Sequence, residues 1–119
     1  MLNQVSLVGR LVRDPKLKVF SNGNKKVDLI VAVDRGYKNK DGEQETDFIF
    51  IEAWRNLADQ CAKYLEKGRL ISVEGRIRVD SWEDEKTGDR KYKTGITARN
   101  VQFLDRPNKN IDNSNEATA

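Results

Sequence analysis

The apolar residues of this chain change period twice, and nothing else in the sequence restricts the fold as strongly. From Asn56 to Lys67, the residues Leu57, Ala58, Cys61, Ala62, Tyr64 and Leu65 recur at helical spacing, whereas the segments on either side alternate as strands do. Asn56 is positioned to cap that helix, with Asp59 three residues on, and Gly68 stands where a helix would stop.

Ahead of the helix, Gln4 to Val12 sets Val5, Leu7, Gly9 and Leu11 against Ser6, Val8 and Arg10, until Asp14-Pro15 interrupts the pattern. A short apolar stretch at Leu17 to Phe20 runs into Ser21-Asn22-Gly23, whose Asn-Gly step suits a tight turn. Val27 to Asp34 follows as a second strand and passes through Arg35 and Tyr37 into a polar loop with Asp41-Gly42 at its tip. Asp47 to Trp54 is the third. Beyond the helix, strand period returns from Leu70 to Trp82 and, after a hairpin loop at Thr87-Gly88-Asp89, from Arg90 to Leu104. The expected fold is therefore all-β with one helix. Its chain order is that of the five-stranded Greek-key barrel called the OB-fold, with the helix between the third and fourth strands; an α+β sandwich shares the order.

A chain of 119 residues suits one domain, expected over residues 1–105. Residues 106–119 are rich in Asn with Ile111 as their one large apolar side chain, and are expected to be a disordered tail. The aliphatic run Leu29 to Val33 is far too short to span a membrane and the amino terminus has no signal pattern, so a cytoplasmic, nucleoid-associated location is expected. The sequence contains no histidine, which removes the commonest general base and metal ligand, and its single cysteine, Cys61, reads as core filling. An enzyme, a metal site and a cofactor are accordingly not expected. The net charge of +3 permits a nucleic-acid partner without requiring one.

Alternation places Phe48, Phe50, Glu52 and Trp54 on one face of the third strand and Ile49, Ile51 and Ala53 on the other. The aliphatic set suits a barrel core. The aromatic set does not, because Glu52 would be buried with it, although Phe50 by itself reads as packing. In the fourth strand Ile71, Val73, Ile77 and Val79 form the apolar side, opposite Arg76, Arg78, Asp80 and Trp82. Tyr37, Phe48, Trp54 and Trp82 thus make a dispersed set of flat rings, with Arg35, Arg55, Arg76 and Arg78 between them and Arg10 on the polar side of the first strand. Every base has a π-face, so such rings stack on unpaired bases regardless of sequence while arginines neutralise phosphates. Readers of duplex DNA insert a helix or ribbon into the major groove, and the one helix here carries no dense basic stripe.

Five stretches, MLNQVSLVGRLVRDPKLK, DLIVAVDR, DFIFIEAWRNLADQCAKYLEKG, ISVEGRI and VQFL, together resemble the bacterial single-stranded DNA-binding protein family over Met1 to Asp105. The resemblance implies a homotetramer of OB-fold subunits that holds and protects single-stranded DNA in replication, recombination and repair. It also implies stacking aromatics at Tyr37, Phe48, Trp54 and Trp82. Members of the family carry an acidic carboxyl-terminal tip that recruits replication and repair proteins. The end of this sequence, NSNEATA, lacks it, so that recruitment is not expected and a short competence-type, phage-borne or plasmid-borne paralogue is the expectation. Two other readings compete: an OB-fold module that binds protein through the aromatic face, and a metal-dependent nuclease drawing on Glu45, Asp47, Glu52 and Glu74.

Overall fold

In a computed structural model that describes residues 1–105, the chain forms β1 (Val5–Leu11), β2 (Lys16–Val19), β3 (Lys25–Lys38), β4 (Gln44–Trp54), α1 (Arg55–Tyr64), β5 (Leu70–Glu83) and β6 (Arg90–Phe103). The sheet order is β1-β5-β6-β4-β3-β2, and a further pairing of β1 with β3 closes five of these strands into a barrel. The closing seam is short: β1 runs antiparallel to β5 from Val5 to Arg10 and meets β3 only at Arg10 and Leu11. On the far side β4 and β6 are parallel through Ile51 opposite Ile96 and Glu52 opposite Thr97. This is the OB-fold expected from the strand order.

The sixth strand, β2, lies outside the barrel and pairs with β3 alone. All its residues are exposed, so no burial alternation marks it in the sequence. Counting it places α1 between β4 and β5, and among the barrel strands the helix still lies between the third and the fourth.

Closure brings backbones together where side chains would not fit. A Cβ on Gly9 would lie 2.3 Å from the Ala32 carbonyl oxygen, and one on Gly75 would lie 2.2 Å from that of Thr97. The core inside the barrel is built from the inward residues of the strands, among them Leu11, Val27, Leu29, Val31, Ile51, Ala53, Ile71 and Val73. α1 plugs it with Ala58 and Cys61. Burial pushes the Cys61 thiol up to about 11, in keeping with a packing role.

Three details differ from the sequence reading. The helix begins at Arg55 with Trp54 as its capping residue and no side-chain cap, while Asp59 accepts a 2.9 Å hydrogen bond from Lys25 instead of supporting a cap at Asn56. The helix ends at Tyr64: Leu65 turns extended and inserts into the core, and Gly68 serves the following turn, donating its N–H to the Leu11 carbonyl at 2.9 Å. Ile77 and Val79 are exposed: Ile77 pairs with Ile96, at the end of the β6 stretch that meets β4, and Val79 lies beyond it, where β5 and β6 continue as a two-stranded ribbon.

No helix among the described residues is long and apolar enough to cross a membrane. The tail reading for residues 106–119 lies outside the described residues.

Candidate nucleic-acid interface

Strand β4 divides as its alternation requires. Ile51 and Ala53 are buried and Ile49 packs against the core, while Phe48 and Phe50 stand 59% and 49% exposed on the other face. Phe50 is thus a surface ring and not core packing, and the Lys93 ammonium lies 5.2 Å from its centre. The antiparallel register sets Lys26 opposite Trp54, Asp28 opposite Glu52 and Ala32 opposite Phe48.

Glu52 escapes the penalty of an unpaired carboxylate by becoming the hub of this face. Arg78 Nη1 donates to Glu52 Oε1 at 2.8 Å, Trp54 Nε1 donates to the same oxygen at 3.3 Å, and Lys26 Nζ lies 3.0 Å from Oε2. Arg78 is further gripped by Asp80, at 3.1 Å from Nε, and donates to Thr97 Oγ1 at 2.8 Å. The hydrogen bond to Asp80, reinforced by the charges of Glu52 and Asp80, outweighs burial and holds the Arg78 guanidinium more firmly protonated than usual. Burial pulls the Lys26 ammonium down, but its bonds to Glu52 and Asp28 and their charges outweigh that and raise it.

Beside the hub lies a groove of about 730 Å³ lined by Trp54, Arg55, Arg76, Arg78 and Arg99. A smaller hollow of about 230 Å³ shares Glu52, Arg78 and Asp80 with it and adds Arg13, Lys26, Phe50 and Lys93. Among the described residues Arg55, Arg76 and Arg99 form no ion pair, and all three line the groove, which Glu52 and Asp80 also border. Arg55 also holds a left-handed backbone, φ 58, at the junction of β4 and α1.

The other expected site residues are spread around this centre. Tyr37 is 62% exposed near the end of β3, just after Gly36 and within the register shift between Asp34 and Lys38. Trp82 is 47% exposed on the β5–β6 ribbon, on the strand face that carries Arg78 and Asp80. Arg35 is already engaged: Nη2 donates to Asp47 Oδ1 at 2.9 Å and Nη1 lies 3.5 Å from Glu45. Hydrogen bonding to Arg35 holds the Asp47 carboxyl below the usual range. Arg10 lies apart from the groove, donating to the Gly68 carbonyl at 3.0 Å and to Asp105 at 3.4 Å. The structure thus gathers Trp54, Arg55, Arg76 and Arg78, sets Phe48 farther along the same strand face, and leaves Arg10 elsewhere.

Four residues of this face escape a reading by strand period. Arg99 is the extra residue of a bulge, since Glu74 opposes Asn100 while Gly75 opposes Ala98. Lys93 depends on the β5–β6 register. Lys26 could have been found as the cross-strand neighbour of Trp54. Phe20, whose ring stacks on Trp54 with centroids 5.9 Å apart and planes at 19°, depends on the β2–β3 hairpin. The carboxylates offered for a metal are dispersed: Glu52 holds Lys26 and Arg78, Asp47 and Glu45 hold Arg35, and Glu74 accepts from Asn100 at 3.2 Å. Among the described residues no group of three or more acidic, thiol or imidazole side chains could hold a metal ion.

Residues 2–104 match the Single-strand binding protein family. A protein of Halalkalibacterium halodurans named single-stranded DNA-binding protein is 46% identical over 105 residues, covering 88% of this chain and 62% of the relative. Single-stranded DNA-binding protein 1 of Chlorobaculum tepidum is 41% identical over 105 residues, covering 87% of this chain and 65% of its own length. Single-stranded DNA-binding protein A of Bacillus subtilis is 42% identical over 108 residues, covering 91% of this chain and 62% of the relative. The chain therefore spans less than two thirds of the length of these relatives. The family match covers nearly all of the described residues and coincides with the barrel that carries the aromatic and basic face, and on that ground the chain belongs to the single-strand binding protein family.

Proposed function

We propose that this chain binds single-stranded DNA without sequence preference and protects it during replication, recombination and repair. The observation that carries the reading is one groove in which an aromatic ring, Trp54, stands among three arginines with no ion pair among the described residues, Arg55, Arg76 and Arg99. Bases stack on Trp54, Phe48, Tyr37 and Trp82, and the arginines meet phosphates. Arg78 and Arg35, each shared with acidic partners, orient the surface and contact phosphate less strongly. Residues 1–105 form the binding domain. The subunits associate as a homotetramer that acts in the cytoplasm on exposed DNA, and no catalysis is involved.

Titration with oligo(dT) at several salt concentrations tests the proposal through tryptophan emission. Stacking quenches Trp54 and Trp82, and affinity falls as salt rises because phosphate contacts release counterions. Trp54→Ala weakens binding with the salt slope nearly intact, and Arg76→Ala reduces the slope. Unchanged emission together with no mobility shift would favour a module that binds protein only. Light scattering reads the oligomeric state.

A further inference from the structure

Phe20 has no place in the barrel core, yet its ring is held in a defined position. The hairpin turn that carries it is closed at both ends: Phe20 donates its N–H to the Asn24 carbonyl at 2.8 Å, and Gly23 donates to the Phe20 carbonyl at 2.9 Å. Asn22 Oδ1 accepts from the Asn24 N–H at 3.0 Å, which stiffens the same turn. The turn leaves the ring nearly parallel to Trp54, at an offset-stacked separation of 5.9 Å. Phe20 nevertheless remains 38% exposed.

An apolar side chain serving only to cover Trp54 could be aliphatic and could lie at any angle. A flat ring aligned to within 19° of Trp54 and still 38% exposed instead continues its stack by one step. Lys26, whose ammonium is 5.6 Å from the Trp54 ring centre, adds positive charge beside the pair. We propose that Phe20 is a further base-stacking residue: Phe20 and Trp54 form a two-ring platform, and an unpaired base stacks on the outer face of Phe20. The inference rests on the single-stranded DNA reading above and assigns the β2–β3 hairpin a part in it.

The test uses the unsubstituted full chain as parent and fluorescently labelled oligo(dT) as probe, with affinity read by anisotropy across a salt series. Phe20→Ala is expected to weaken binding on the order of tenfold, the loss of one stacked base, with an unchanged salt slope. Phe20→Tyr should restore affinity and Phe20→Leu should not, because leucine fills the space without a π-face. Full binding by Phe20→Leu would overturn the inference in favour of simple packing, as would parental affinity in Phe20→Ala. Thermal melts identify any variant that fails to fold, and the Tyr against Leu comparison then decides. If the parent chain ignores oligo(dT), the functional reading fails; if the parent binds and Phe20 is indifferent, only this inference fails.

Discussion

Arg78 and Glu52 meet at 2.8 Å on the face that also carries Trp54, so the floor of the basic groove is built on a negative charge. Such a carboxylate organises cations while competing with phosphate for them. Both partners are largely shielded, which makes this pair more consequential than a pair on open surface.

Replacing Glu52 with Gln keeps an acceptor for Trp54 and releases charge on Arg78 and Lys26. Glu52→Gln should therefore bind oligo(dT) more tightly, and the slope of log affinity against log salt should steepen by roughly 0.7 for each phosphate newly neutralised. Fluorescence titration across a salt series measures both.

Gly9 sits where β1 crosses to β3, with the Ala32 carbonyl oxygen 2.3 Å from where a Cβ would lie. The obstacle is backbone and cannot swing aside. Gly9→Ala should destabilise the barrel by about 1 to 3 kcal/mol, read as a lower urea midpoint.

At Arg55 the backbone φ of 58 strains any residue with a Cβ. Arg55→Gly should be more stable than Arg55→Ala by about 1 kcal/mol, measured by chemical denaturation. Both should bind DNA with a shallower salt slope than the parent, since both remove the same groove charge. Stability and binding should thus separate at this one position.

Asp105 fastens the end of β6 to the start of β5. Its carboxylate accepts from Arg69 Nε at 2.9 Å and from the Leu70 N–H at 3.2 Å, and Arg69, only 6% exposed, also donates to the Asp105 carbonyl at 2.9 Å. Desolvation pushes the carboxyl up, but these hydrogen bonds and the charges of Arg69 and Arg10 prevail and hold it below its ordinary value. With the folded value depressed, the stabilisation is fully present above about pH 4 and is lost as pH falls through the folded value. Asp105→Asn should lower stability by about 1 to 3 kcal/mol at pH 7 and flatten the acid limb of a plot of urea midpoint against pH.

Much of this architecture follows from local pattern. The opposition of Ile49, Ile51 and Ala53 to Phe48, Phe50 and Trp54 needs only strand alternation, and α1 needs only its helical spacing. What could not be read depends on neighbours in space. β2 has no buried side to announce it. In β6 the inward residues change parity between Ala98 and Val101 because Arg99 is bulged out, and no single-strand period contains that shift. Ile77, opposite the core residue Ile96, and Val79 beyond it keep the alternation of a core strand although both are exposed. The neutralisation of Arg35 and Arg78 depends on pairing of separate segments, so residue type alone overstated the charge they offer.

Among the described residues the β5–β6 ribbon beyond Gly95 is paired only within itself, and a lone two-stranded ribbon is marginally stable in water. Arg78, locked to Glu52, Asp80 and Thr97, anchors its root, while Trp82 rides near the tip. That is the mechanics of a cantilever: the base holds register with the barrel, and the far end projects from it without resting on the core.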